Sequence, residues 1–390
     1  MIYVGIDVAK DKHDCCITND NGEVVVKPFS FPNSIDGFNS LLQIIHTVSG
    51  QSENIKVGLE ATGHYSFNLM AFLIKNGLKP YVINPLHTCL YRKSLSLRQT
   101  KTDKVDAYTI ALMLMSDVNL KSYSDSSYHN EELKSLTRYR FDKVKARSKL
   151  KVSISRLVSI LFPELEQLVP TLHISSVYSL LCEFPGAHLV ASAHLTRLSN
   201  LLYTSSKGHY GKDMAVLIRN AARNSIGSYM PAKSLELRHT IHLIRELDSE
   251  ISEIEASINS VMDALNPPIL SIPGISYRMG AMIIAEIGDI SRFASPDKLL
   301  AYAGLSPSVY QSGQFNSCHA HMEKRGSRYL RYALFNAAKF VCIWDPAFRE
   351  YLAKKRAEGK HYNVAVSHAV KKLVRLIYSM EKSHTVYKAA

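Results

Sequence analysis

Residues 2–31, IYVGIDVAKDKHDCCITNDNGEVVVKPFSF, determine the fold class of the first part of the chain. Asp20-Asn21-Gly22 separates the runs 13–18 and 23–31, and Asn-Gly between two such runs is a strong signal for a tight hairpin. The apolar run before them, IYVGID, ends in Asp7. We therefore predict three consecutive antiparallel strands, at 2–7, 13–18 and 23–31.

Helices and strands alternate after this hairpin. The apolar spacing predicts a helix from Asn33-Ser34, and then a strand at 55–61, a helix at 65–76, a strand at 80–84 and a helix at 103–115. The order βββαβαβα is that of a ribonuclease-H-like α/β domain, a mixed sheet with helices on its faces. A doubly wound sheet is the alternative. It is disfavoured because its first turn is usually rich in glycine, whereas the turn here is Ala9-Lys10-Asp11-Lys12.

The charge of the chain is strongly basic and unevenly distributed. The 390 residues exceed one typical domain and carry a formal net charge of +13, with a pI near 9.3. Residues 1–115 hold eleven Lys and Arg against ten Asp and Glu, so almost all of the excess lies downstream. Lys and Arg gain free energy by releasing counterions from phosphates, which indicates a nucleic-acid partner.

Cysteine spacing and hydropathy indicate the compartment. The six cysteines include no C-x-x-C pair, so the sequence predicts neither a zinc site nor a disulfide framework. Charged residues follow the first strand too soon for a signal peptide, and no apolar run reaches membrane-spanning length. We expect a cytoplasmic protein with no membrane partner.

A long basic helix is predicted at 131–161, ended by Pro163. Between residues 134 and 156, nine Lys and Arg stand against a single acid, Asp142. A solvated helix face is the ordinary explanation, but this ratio leaves almost no ion-pair partners. We therefore predict nucleic-acid contacts on this helix, at Arg138, Arg140, Lys143 and Arg147.

Apolar residues recur at spacings of mostly four and three between 237 and 265, the pattern of roughly four coiled-coil heptads. A small helical insert is predicted before them, at about 165–231. The apolar seam can lie between subunits or fold back on the basic helix. Because a helix of this length spans about 40 Å, we favour a partner chain and expect a homo-oligomer, a dimer or tetramer, held by the coiled coil.

The last part of the chain is predicted to be mainly helical. Residues 269–289 have the pattern helix, Pro-Gly turn, helix, a hairpin that can offer backbone N–H groups to a phosphate. A loop is predicted around Gln311-Ser312-Gly313, and two helices close the chain. A basic stretch between this loop and the closing helices supplies four further predicted nucleic-acid contacts, Lys324, Arg325, Arg328 and Arg331.

Four carboxylates form the candidate catalytic and metal site. The first and fourth strands are neighbours in the predicted topology, and two acids at i and i+3 share one face of the helix at 103–115. Phosphodiester chemistry on two Mg²⁺ ions, or Mn²⁺ in their place, needs hard oxygen ligands around metals about 4 Å apart, because the ions clamp the attacking and leaving oxygens. The candidates are Asp7, Glu60, Asp103 and Asp106.

Each of these acids also has an ordinary structural explanation. An acid that follows a strand can be a cap, and the pair Asp103/Asp106 can simply favour a helix N-terminus. Asp7, however, closes an apolar strand, where a charge needs a partner. Basic residues flank the helical pair, which suits a phosphate substrate, so we also predict nucleic-acid contacts at Arg98, Lys101 and Lys104.

Several motifs together resemble one family. GIDVAK, LEATGHY, TKTDKVDA, IPGI, AYAGLSP, YQSG and KRGSRYLR are similar, in sequence and in order, to the DEDD transposases of the IS110 family (IS116/IS902 type), relatives of the Piv invertase. The similarity extends to about residue 345. It implies a RuvC-like DEDD domain at 1–125, a helical coiled-coil region with the insert at 126–265, and a mainly α C-terminal transposase domain at 266–390.

The resemblance also implies the chemistry. The four carboxylates lie in the family's metal-binding motifs, and Ser312 in YQSG corresponds to the family's serine nucleophile, with Ser317 as a second serine nearby. Met322-Glu323 departs from the family's pattern before the following lysine. The family implies a structured bridge RNA that pairs with double-stranded donor and target DNA. We thus expect an insertion-sequence transposase that is associated with the nucleoid of a bacterium or archaeon.

Two other functions fit parts of the same pattern. A ribonuclease-H-like hydrolytic nuclease or junction resolvase would use the four carboxylates and water, without Ser312. A non-catalytic, basic, coiled-coil nucleic-acid-binding protein would need neither the four carboxylates nor Ser312. A sugar-kinase-like ATPase is disfavoured because no Gly/Thr phosphate turn follows Asp7.

Overall fold

A computed structural model gives the structure of the chain for residues 1–49, 54–60, 64–83, 85–95, 102–116, 125–307, 311–312, 315–316 and 322–388. The chain divides into two compact units, Met1–Glu131 and Glu132–Ala390. The further boundary expected near residue 265 stays a prediction. No helix in the described ranges is both long enough and apolar enough to cross a membrane.

The first unit contains a five-stranded mixed sheet with the strand order β3-β2-β1-β4-β5. β1 pairs antiparallel with β2 and parallel with β4, and β2 and β4 pair in turn with β3 and β5. All five predicted strands are confirmed. Their bounds are β1 (Ile2–Val8), β2 (Lys12–Thr18), β3 (Val24–Pro32), β4 (Ile55–Glu60) and β5 (Pro80–Ile83).

Four helices accompany this sheet: α1 (Ile35–Val48), α2 (Ser66–Lys75), α3 (Pro85–Leu95) and α4 (Asp103–Ser116). The side chain of Ser34 caps α1 by accepting a hydrogen bond from the backbone N–H of Gly37. α3 was not predicted, because PLHTCLYRKSL has only a weak apolar periodicity. α4 packs directly on β1 at Gly5, where a Cβ atom would lie 2.1 Å from the carbonyl oxygen of Ala107.

Two long helices dominate the second unit, and a cluster of short ones joins them. α5 is 37 residues long and ends just before Pro163, and α11 is 35 residues long and begins with a proline. The predicted insert is present as the five helices between them. The bounds are α5 (Asp125–Leu161), α6 (Leu165–Leu168), α7 (Ser175–Glu183), α8 (Ala187–Ser192), α9 (Leu195–Ser205), α10 (Lys212–Arg223) and α11 (Pro231–Leu265).

The predicted apolar seam of α11 is buried inside this one chain. Its first half joins the core of the insert, where Leu237 and Ile244 pack in one cluster with Leu157 of α5. Its second half, including Ile258, packs in a cluster with Leu133 at the start of α5. The expectation that the seam needs a partner chain is therefore wrong, because α5, which is as long as α11, covers it together with helices at 175–183 and 277–287.

The rest of the second unit is mainly helical, as expected. The predicted helix before the Pro-Gly turn is only a single 3-10 turn, Pro268–Ser271, and the chain closes with three helices where two were predicted. A two-stranded ladder lies between α13 and α14. The bounds are α12 (Tyr277–Ile287), α13 (Pro296–Tyr302), β6 (Gln311–Ser312), β7 (Phe315–Asn316), α14 (Arg328–Trp344), α15 (Pro346–Ala357) and α16 (Tyr362–Ser383).

Candidate active site

Acidic side chains lie next to one another across the centre of the sheet. β1 and β4 are parallel with Ile6 opposite Leu59, which places Asp7 and Glu60, the next residue on each strand, side by side. On the other side of β1, Asp7 stands opposite Asp14 of β2. Because directly opposite residues of an antiparallel pair project from the same face, Asp7 and Asp14 share one face of the sheet.

α4 adds two further carboxylates. Asp103 and Asp106 lie in its first turn, where the partial positive charge of the helix end favours acids. Asp106 is buried, and Asp103 is exposed. Since Gly5 lets the backbone of α4 approach β1 so closely, the first turn of α4 comes near the end of β1.

The pKa of Asp7 shows that these acids interact. Burial and the negative charges of Glu60, Asp106, Asp103 and Asp14, in that order of importance, together raise the pKa of the Asp7 carboxyl to about 7. The other three predicted carboxylates, with Asp14, are therefore gathered around Asp7. Like charges collected in one place need a cation or a proton to offset their repulsion.

A cation from the protein partly supplies that need. The guanidinium of Arg92, on α3, donates a hydrogen bond to Oδ1 of Asp106 and forms an ion pair with it. This bond raises the pKa of Arg92, and the negative charge of Glu60 acts in the same direction. Arg92 therefore serves as a counter-ion for two of the four predicted carboxylates.

The donor chemistry suits a hard divalent cation, since all four predicted ligands are carboxylates. Within the described ranges, however, no three His, Cys, Asp or Glu side chains lie close enough to hold one metal ion. The charges of these carboxylates act on Asp7 although the groups are too far apart to bind one ion, because electrostatic interactions extend over longer distances than metal–oxygen bonds. The carboxylates are thus gathered, but with Arg92 in place they do not form a closed coordination shell.

Sequence reasoning missed three residues of this cluster. Asp14 is buried and accepts a hydrogen bond of 2.6 Å from the hydroxyl of Ser30, its neighbour on β3. Counting outward from the short connection between β1 and β2 would have placed Asp14 opposite Asp7. Arg92 gave no usable signal, because its helix was not predicted.

The predicted nucleophile lies in a short β ladder. Ser312 pairs with Phe315 between β6 and β7, so its backbone belongs to a strand, not to the predicted loop. The side chain of Ser312, all of Ser317, and the basic residues Arg98 and Lys101 lie outside the described part of the structure. Lys104, at the start of α4, is exposed.

Four basic residues of α5 have acidic partners on another helix, contrary to the premise from which nucleic-acid contacts were predicted. The acids lie on α11, and their order reverses that of the basic residues on α5, so the two helices are antiparallel. The sequence could not show these partners, because each pair is separated by about a hundred residues. The ion pairs are Arg140–Glu255, Lys143–Glu250, Arg147–Asp248 and Arg156–Glu236.

Arg138 makes a stronger contact, to α12. Its guanidinium donates two hydrogen bonds, of 2.6 and 3.0 Å, to the two carboxylate oxygens of Glu286. Glu286 is buried and also accepts a hydrogen bond from the hydroxyl of Ser327, the cap of α14. Arg138 therefore ties α5 to the C-terminal helices, which is a structural role.

In the second basic stretch, at 324–331, most of the predicted contact residues make no such structural ion pair in the described part of the chain. Lys324, Arg325 and Arg328 are exposed, and Arg328 stacks on the ring of Tyr329 with 4.7 Å between guanidinium carbon and ring centre. Arg331 differs, because its guanidinium donates hydrogen bonds to two backbone carbonyls, those of Ala303 and Lys324. The first three are available to a ligand, and Arg331 holds the turn that carries them.

Two family models match the chain. A model named for DEDD transposases of IS110, described as Transposase, matches residues 4–163. A second, described as Transposase IS116/IS110/IS902 family, matches residues 266–353. The first match includes all four predicted carboxylates and the second includes Ser312.

Curated relatives agree with these models. The uncharacterized 42 kDa protein of insertion element IS900 from Mycobacterium paratuberculosis is 26% identical over 100% of this chain and 98% of its own length. The pilin gene-inverting protein of Moraxella lacunata is 24% identical over 97% of this chain and 95% of its own. The mini-circle putative transposase for IS117 from Streptomyces coelicolor is 25% identical over 96% and 92%. The chain therefore belongs to the IS116/IS110/IS902 family of transposases, enzymes of DNA recombination.

Proposed function

We propose that the chain cuts and rejoins DNA strands at a metal site formed by Asp7, Glu60, Asp103 and Asp106 on a ribonuclease-H-like, RuvC-like domain. The observation that carries the proposal is that Asp7 lies beside Glu60 and near enough to Asp103 and Asp106 for their charges to act on its carboxyl. The strand order β3-β2-β1-β4-β5, with the two central strands parallel and an acid at the end of each, supports the assignment of the domain.

The metal would be Mg²⁺, with Mn²⁺ able to substitute. When bound, such ions stabilise the charge that develops on the attacking and leaving oxygens of a phosphodiester. Asp7, Glu60, Asp103 and Asp106 would hold the ions. Ser30 holds the carboxylate of Asp14 by a hydrogen bond, opposite Asp7, and Arg92 offsets the charge of Asp106 before any ion binds.

Ser312 is the proposed nucleophile. Its hydroxyl oxygen would bond to the phosphorus of the scissile linkage, the bond from phosphorus to one sugar oxygen would break, and the proton would pass to the departing oxygen. The phosphoserine ester keeps the energy of the broken linkage, so the strand can be rejoined without hydrolysis. The position of Ser312 in the matched second family region and in a short ladder supports this role.

The partners proposed are double-stranded donor and target DNA and a structured guide RNA. The excess positive charge outside residues 1–115 supports binding to polyanions. Sequencing the nucleic acid that co-purifies with the full chain tests the guide. One defined RNA species is expected, and a random mixture of cellular RNA and DNA would count against it.

Trapping on a nicked DNA substrate tests the chemistry. Wild-type protein should form a covalent protein–DNA adduct that survives denaturing electrophoresis, and Ser312→Ala should form none, while Ser317→Ala should form it as the wild type does. Cleavage without any adduct would instead support a hydrolytic nuclease or junction resolvase. That alternative needs only the carboxylate cluster and water.

A further inference from the structure

A cavity in the helical insert has features that the proposed chemistry does not use. It has a volume of about 430 Å³, within the range of small-molecule sites. It lies between the start of α7 and the loop that follows α9. Its lining consists of Ile174, four serines at 175, 176, 205 and 206, and His209 and Tyr210. The hydroxyl groups and the imidazole are thus set in a lining that also has much apolar surface, and this lining includes no acid.

The start of α7 leaves hydrogen-bond donors unused at this cavity. Its cap position is Ile174, which has no side chain that could accept a hydrogen bond from the first turn. The first intrahelical bond of α7 is donated by the N–H of Tyr178, so the N–H groups before it have no acceptor within the helix. Such a helix end favours an anion.

Ser176 supplies a second, independent indication of a ligand. Its residue is only 3% exposed, yet it lines the cavity, and no hydrogen bond of its hydroxyl is found in the described part of the chain. The hydroxyl keeps some exposure, at the cavity that Ser176 lines, so without a ligand it has only solvent as a hydrogen-bond partner. A ligand with acceptor oxygens would accept that hydrogen bond in place of solvent.

The opposite wall is the end of α9, where most of the carbonyl oxygens are already hydrogen-bonded. The carbonyl oxygens of Tyr203, Thr204 and Ser206 at the end of α9 already accept hydrogen bonds from the N–H groups of the following turn. Lys207 and Gly208 make that turn with positive φ angles of 57° and 87°. The exposed Lys207 also brings a positive charge next to Ser206.

We propose that this cavity binds a phosphoryl group, held by the N–H groups at the start of α7 and by the hydroxyls of Ser175 and Ser176. The phosphoryl group can belong to a nucleic-acid strand or to free phosphate, and the chemistry of recognition is the same. The site belongs to the second unit, and its failure would leave the proposal for the carboxylates in the first unit unaffected.

The test titrates inorganic phosphate against the full chain, with chloride at equal ionic strength as reference, and follows the melting temperature. Ser176→Ala should weaken phosphate binding about ten-fold, the effect of one hydrogen bond to a charged group. Ser192→Ala is the matched control, because Ser192 lies on α8 and its hydroxyl only bonds carbonyls of its own helix. The control should bind phosphate like the wild type.

Ser175→Asp provides a second variant with the opposite effect. Its carboxylate would occupy the place of the anion, so it should raise the melting temperature in chloride by about 1–2 °C and abolish the response to phosphate. A short fluorescent single-stranded oligonucleotide distinguishes the two sources. Weaker binding of both ligands by Ser176→Ala indicates a nucleic-acid phosphate, and weaker binding of phosphate alone indicates the free ion. Unchanged binding of both ligands would overturn the proposal.

Discussion

The carboxylate cluster around Asp7 and the row of ion pairs between α5 and α11 differ in how their charges are balanced. In the first unit, like charges are brought together around Asp7, and Arg92 offsets only part of them. Along α5, each of four basic residues faces one acid of α11. Opposite charges that pair one to one indicate a structural role. Like charges that the fold holds together at a cost in free energy indicate a role in chemistry.

The largest expected effect is the loss of DNA cleavage when a carboxylate of the cluster is removed. Asp7→Ala, Glu60→Ala or Asp106→Ala should lower DNA cleavage on the order of 10³-fold or more, while DNA binding stays within a few fold, because phosphate affinity comes from Lys and Arg. Gel-based cleavage and filter binding measure both. Asp36→Asn, an exposed acid of α1, is the control and should cleave normally. Unchanged cleavage in one of the three variants would remove that residue from the site.

The next effect is on stability, in the second region. Arg138→Met leaves the buried carboxylate of Glu286 without its two hydrogen bonds, so the free energy of unfolding should fall by about 3 kcal/mol. Arg156→Met breaks an exposed pair with Glu236 and should cost less than about 1 kcal/mol. Urea denaturation of both variants measures the difference. Equal losses would show that Arg138 does not anchor α5 to α12.

Arg92 combines features of both regions, because it forms an ion pair and its partner, Asp106, is a proposed metal ligand. Arg92→Gln removes a positive charge that competes with the metal, so Mg²⁺ should bind about ten-fold more tightly. Without metal, the variant should be less stable than the wild type. The rise in melting temperature with Mg²⁺ measures both effects. Weaker Mg²⁺ binding in the variant would mean that Arg92 helps to build the site.

The smallest effect concerns pH. The pKa of Asp7 is raised from 3.8 to about 7, so the folded state favours the protonated carboxyl. The associated stability is present below about pH 4 and is lost as the pH rises through about 7. Asp7→Asn should therefore match the wild type near pH 4 and exceed it by about 1–2 kcal/mol at pH 8 without metal, after screening by solvent is allowed for. A constant difference across this range would contradict the shift.

The sequence predicted what depends on local pattern. The five strands follow from apolar runs and turns, and Asp7 and Glu60 follow from their places at the ends of neighbouring strands. The partners of Arg140 and Arg147 could not be predicted, because the whole insert separates α5 from α11 in the sequence. Asp14 needed the register of β1 against β2, and Arg92 needed α3, whose periodicity is too weak to indicate a helix.

The coiled-coil expectation shows the same limit. The spacing of apolar residues in α11 correctly predicted a helix with one apolar face, but spacing does not say what covers that face. Ile251 and Ile258 are 4% and 0% exposed in the single chain, so an oligomer through this seam has no support from their exposure. Other surfaces would have to form it.

Binding of Mn²⁺, measured by titration calorimetry on the full chain, tests the central claim most directly. The wild type should bind Mn²⁺ at the carboxylate cluster, and Asp7→Asn and Glu60→Gln should each lose most of that binding, while Asp36→Asn keeps it. Release of protons should accompany binding below about pH 7, because Asp7 is then largely protonated. Equal Mn²⁺ binding in the wild type and in Asp7→Asn would contradict the assignment of this cluster as the metal site of a DNA transposase.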